Sequence, residues 1–68
     1  MSLGEMIDQT VCKIYAQKKC PVTIDEIATA INASVDVVQP VADAHVRLRI
    51  LDKEGIGYVP GSAMGLSF

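Results

Sequence analysis

Apolar residues at Leu3, Ile7, Val11, Ile14 and Tyr15 recur at the spacing of one face of an α-helix. Ser2 precedes this stripe with Glu5 three places on, the spacing of a capping box. Glu5 and Asp8 sit near the positive start of the helix dipole, and Lys13, Lys18 and Lys19 toward its negative end. Pro21 stops the helix, because the residue before a proline, Cys20, is steered to extended geometry. "CPVT" is then a short extended stretch with Val22 turned inward.

A second amphipathic pattern follows at Ile24, Ile27, Ala28 and Ile31, opened by a Thr23–Glu26 capping box. Asn32 stands where the chain must leave that helix, and Asn tolerates the left-handed conformation such exits need. A third helix begins after the turn "NASVD", capped by Ser34 or by Asp36. Pro40 favours a late start or a kink, since an interior proline removes a hydrogen bond and crowds the preceding turn. The inner seam reads Val37, Val41, Ala44, Leu48 and Leu51, with Gly55 as a left-handed stop. Beyond it, Ile56 and Tyr58 alternate with Gly57 and Val59, and Met64, Leu66 and Phe68 with Gly65 and Ser67. With Pro60-Gly61 as the turn, this predicts a β-hairpin over residues 56–68.

The elements therefore read helix, short strand, helix, helix, hairpin: a mainly α domain with a small β-hairpin, one unit over residues 1–68. In that order "TIDEIATAINASVDVV" resembles the helix-turn-helix core of the winged-helix superfamily, Ala28 being the small residue at the helix crossing. "HVRLRILDKEGIGYVPG" resembles the end of that superfamily's third helix and its first wing strand. The resemblance covers nearly the whole chain and implies a winged helix (α1-β1-α2-α3-β2-β3). It also implies a function: a small DNA-binding or DNA-associated transcriptional regulator whose third helix enters the major groove.

Charge complicates that expectation. Six Lys and Arg against eight Asp and Glu leave a net charge of −2, where proteins that grip phosphate are usually basic. With the seam above turned inward, the outward positions are Asp36, Gln39, Asp43, Arg47, Ile50 and Glu54. Gln39 and Arg47 have the chemistry to read adenine and guanine, and Arg49 and Lys53 to hold the backbone of double-stranded DNA. Asp36 and Asp43 would repel it, residues 56–68 carry no Lys or Arg, and the second helix opens on Asp25 and Glu26. The alternative is a protein–protein interaction module with no nucleic-acid partner. Val46 and Ile50 lie off the seam and are candidates for a homodimer or partner interface, with Met6 and Cys12 flanking.

Other chemistry is thin. A mean hydropathy of +0.32 is high for so small a chain and points to apolar surface covered by a partner or second copy. No nucleophile stands with a base at interpretable spacing, and no glycine-rich phosphate loop is present, so neither an enzyme nor a cofactor or small-molecule site is expected. His45, at the edge of the seam, has no Cys or His at metal-ligand spacing. If helical, the eight residues from Cys12 to Cys20 span about 12 Å, beyond disulfide reach. Two thiols of this kind, with no signal-like start and no membrane span, place the chain in the cytoplasm.

Overall fold

The computed structural model describes residues 2–62. Among them are α1 (Leu3–Lys18), β1 (Val22–Thr23), α2 (Ile24–Ile31), α3 (Val35–Arg47), β2 (Leu51–Glu54) and β3 (Gly57–Pro60). The domain is mainly helical with a small antiparallel sheet in the order β1-β3-β2. Three helices and a three-stranded sheet in this sequence order are compatible with a winged-helix-like arrangement.

The helix starts obey local chemistry. At α1 the Ser2 hydroxyl accepts the Glu5 N–H at 3.3 Å. At α2 the box closes in both directions: the Glu26 N–H donates to Thr23 Oγ1 at 3.2 Å, and the Thr23 N–H to Glu26 Oε1 at 3.2 Å. Lys18 reaches across from α1 to the same carboxylate. Together with the Thr23 backbone bond, that ammonium holds the Glu26 carboxyl below its ordinary range. At α3 the cap is Ser34, in extended geometry and without a side-chain bond. The helix does not start late: Pro40 lies inside it. Pro40 offers no N–H to the Asp36 carbonyl, and both residues lie exposed, where water reaches the gap.

The helix ends follow a different rule from the glycine stop expected at Gly55. All three turn off through a left-handed residue that is not glycine: Lys19 (φ 58°), Asn32 (φ 57°) and Arg49 (φ 65°). After Asn32 the Ala33 N–H returns to the Ala28 carbonyl at 2.9 Å; after Arg49 the Ile50 N–H returns to the His45 carbonyl at 3.0 Å. Both are Schellman-type closures. Arg49 accordingly ends α3 nearly two turns before the expected stop at Gly55, and Leu51 opens a strand instead of closing a helical seam. A left-handed Arg carries a steric cost of about 1 kcal/mol that glycine avoids. Arg49→Gly is therefore expected to raise the midpoint of urea unfolding slightly or leave it unchanged. A clear fall would show that the Arg49 side chain makes a stabilising contact that outweighs the strain.

The hairpin also lies earlier than expected. Its strands are 51–54 and 57–60, paired Leu51↔Pro60, Asp52↔Val59, Lys53↔Tyr58 and Glu54↔Gly57, and its turn is Gly55-Ile56 with Gly55 at φ 61°. Pro60-Gly61 ends the second strand; the Gly61 N–H donates to the Ile50 carbonyl at 2.9 Å and ties the base of the hairpin to the end of α3. The strand expected over Met64, Leu66 and Phe68 lies outside the described residues. β2 is an edge strand whose Asp52, Lys53 and Glu54 are all exposed, as suits an edge that must not recruit other strands. β3 is central, and β1 pairs its other side through Val22↔Tyr58 and Thr23↔Gly57.

The core is Ile7, Val11, Val22, Ile27, Ala28, Val38, Ala42, Leu51 and Tyr58. Leu3, Ile14 and Tyr15 of α1 and Ile24 and Ile31 of α2 pack against it, as their periodicity implies. The expected seam of α3 is displaced. Val38 and Ala42 are buried, whereas Val37 is 50% and Leu48 64% exposed. Moving from residue 37 to 38 rotates the helix by about 100°.

Candidate interaction surface on the third helix

Rotation of α3 changes the surroundings of Gln39 and Ile50 and leaves Arg47 outward. Gln39 is half-buried, and its amide is engaged: Nε2 donates to Tyr58 Oη at 2.8 Å and to Asp43 Oδ1 at 3.1 Å. The Tyr58 hydroxyl donates in turn to Asp43 Oδ1 at 3.2 Å. These three side chains latch the middle of α3 to the central strand. Burial raises the Tyr58 phenol above its ordinary range; the Gln39 bond opposes that shift, and the Asp43 charge adds to it. The Gln39 donors that would read a base thus point into the fold's own hydrogen-bond network.

Arg47, Arg49 and Lys53 are all exposed. Arg47 ends α3, Arg49 follows in the turn, and Lys53 lies on β2, where its Nζ is 5.7 Å from the centre of the Tyr58 ring, within cation–π range. Val46 and Ile50 are half-buried and pack against the core. Exposed apolar surface falls elsewhere: on Val35, Val37 and Leu48 of α3 and its cap, and on Ile56 at the hairpin tip, 83% exposed. Pro40 is exposed between them, and Val41 and Ala44 are half-buried. The outward side of α3 therefore reads Val37, Pro40, Ala44 and Leu48, with Asp36 at one end and Arg47 at the other.

Sequence periodicity assigns Val37, Ala44 and Leu48 of this surface to the interior, in one seam with Val41 and Leu51. The residues that turn inward instead are Val38 and Ala42, both fully buried, while Leu48 lies just past the last helical residue.

On the α1 side of the stripe, His45 Nδ1 lies 2.6 Å from Asp8 Oδ1, a pairing of two half-buried side chains that joins α1 to α3. Gly4 packs beside it, where a Cβ would come within 2.9 Å of the His45 ring and 3.9 Å of Val41. Cys12 is half-buried against the core, and Cys20 is exposed next to Pro21. A cleft lined by Val46, Arg49, Leu51, Asp52, Gly61 and Ser62 has a volume of about 30 Å³, room for a water molecule or two. Among the described residues no group of three or more His, Cys, Asp or Glu side chains is placed to hold a metal ion. No helix among them is long and apolar enough to cross a membrane. Comparison with family models, curated proteins and solved structures finds no match to this chain.

Proposed function

We propose that this chain is a winged-helix-like protein-interaction module that binds through the outward side of α3. One observation carries the reading. The surface that a DNA-reading helix would press into a groove carries Val37, Pro40 and Leu48 beside an exposed Asp36, and Gln39 is tied to Tyr58 and Asp43. A groove-facing helix gains its affinity from cations near phosphates and donors near base edges. Apolar side chains with a carboxylate gain theirs from another protein surface. The exposed Cys20 thiol suits a reducing compartment such as the cytoplasm.

The exposed Arg47, Arg49 and Lys53 favour a second reading, a DNA-associated regulator held mainly by backbone contacts at the base of the wing. Titration of labelled random-sequence duplex DNA at low and high salt separates the two. The interaction reading expects no binding in the micromolar range at low salt, and Arg47→Ala changes nothing. Binding that weakens with salt and is lost in Arg47→Ala would replace it with the DNA reading, and the salt slope would count the phosphate contacts.

A further inference from the structure

We infer that the partner of this surface is a second copy of the chain, packed α3 against α3 in antiparallel orientation across a two-fold axis. The inference rests on the protein-interaction reading and names its partner. Val37, Val41, Ala44 and Leu48 are spaced four, three and four residues apart, a pattern that reads the same in both directions along α3. An isologous interface requires that property, because each residue must meet its counterpart after the chain direction is reversed. The reversal that sets Val37 against Leu48 of the other copy also sets Val41 against Ala44. Val37 and Leu48, the outer members, are the most exposed of the four.

Charge supplies the second argument. At about 100° per residue, Asp36 and Arg47 project from the same flank of the stripe, one near each end of the helix. When identical helices pack antiparallel about a two-fold axis, like flanks meet. Asp36 of each copy then comes opposite Arg47 of the other, about two residues (~3 Å) out of axial step, well within the reach of an arginine side chain. A parallel two-fold pair would bring unlike flanks together and leave Asp36 and Arg47 without this cross-copy pairing. The opposite flank is bordered by the first turn of α1, where a Cβ on Gly4 would lie 3.9 Å from the half-buried Val41.

A helix of thirteen residues is about 20 Å long, so one helix pair buries less than the 1,200–2,000 Å² or so of a typical stable complex. The dimer is accordingly weak, with a dissociation constant on the order of 100 μM. In that dimer α3 is hidden from any groove, so self-association and groove binding exclude each other.

The test is sedimentation equilibrium of the whole chain up to about 1 mM, with Asp36→Arg, Arg47→Asp and the double exchange. All four proteins are checked for unchanged far-UV circular dichroism; both positions are exposed, so the fold tolerates the changes. A concentration-dependent dimer is expected. Each single reversal should weaken it about tenfold or more by placing like charges together, and the double exchange should restore it. A chain that stays monomeric throughout overturns the inference. The interaction reading then stands or falls separately on the DNA titration, and its partner is a different protein. A dimer indifferent to the single reversals, or not recovered in the double exchange, also overturns the inference by placing self-association on another surface.

Discussion

Tyr58→Ala is expected to leave the chain largely unfolded at room temperature, seen as loss of far-UV helical signal without denaturant. Tyr58 is the largest of the fully buried side chains, and it sits on the central strand between Val22 and Lys53. Truncating a buried aromatic costs about 3–5 kcal/mol. A domain of 68 residues has only about 3–10 kcal/mol in total at typical values per residue. Tyr58→Phe separates the ring from its hydroxyl. It keeps the packing and leaves Gln39 bonded to Asp43, so the expected cost is only about 1 kcal/mol. Equal losses in the two variants would mean that the hydroxyl latch, rather than the ring, holds α3 to the sheet. The phenol also sets a pH dependence. Burial raises its folded-state value above that of the unfolded chain, so its contribution to stability is intact below the usual phenol range. That contribution is lost as pH rises through the folded-state value. Tyr58→Phe should remove this part of the alkaline loss, measured as a flatter dependence of the urea midpoint on pH above about 10.

How far the sequence foretells this fold depends on how local each signal is. Thr23 with Glu26, and Asn32, act within four residues of themselves and do in the fold what their spacing implies, while Ser2 supplies one half of its box by accepting the Glu5 N–H. Arg49 carries no such mark. It takes a left-handed position that the Schellman closure from Ile50 to His45 imposes, and nothing about arginine announces it. Missing that exit made α3 too long and displaced the hairpin, because "LDKE" contributes one buried residue and three exposed charges and has no strand-like alternation. The facing of α3 was ambiguous for a different reason. Val37, Val41, Ala44 and Leu48 form one apolar stripe, and Val38 and Ala42 begin a second beside it. Periodicity cannot rank two adjacent stripes. Packing does: Val38 and Ala42 are fully buried, while Val37 and Leu48 stay exposed. The same rotation decides what the surface offers. Arg47 is outward in either facing, whereas Gln39 moves to the flank and into the reach of Tyr58.

Gly57→Ala is expected to destabilise the domain more than Gly55→Ala, although only Gly55 has the left-handed backbone that marks a glycine as necessary. At Gly55 (φ 61°) an added Cβ meets nothing within 4 Å, so the cost is the conformational one, about 1 kcal/mol. At Gly57 the Cβ would lie 2.5 Å from Pro21 Cβ and 2.9 Å from the Pro21 carbonyl carbon. Pro21 leads directly into β1, which pairs Thr23 with Gly57, and its fixed ring has no side-chain rotation with which to yield. Relief must come from separating β1 from β3, the two strands that carry Val22 and Tyr58 into the core. Overpacking of this kind costs about 2–3 kcal/mol or more. Urea unfolding of the two variants side by side gives the ranking, and hydrogen exchange at Val22 and Thr23 locates the damage. If Gly55→Ala proves the worse, the hairpin turn rather than the β1–β3 seam limits stability. Cooperativity at the base of the domain would then originate at the hairpin tip. If Gly57→Ala is worse and exchange quickens at β1, the short strand before α2 holds the sheet against the helices, and α3 keeps its outward face because β3 cannot shift beneath Tyr58.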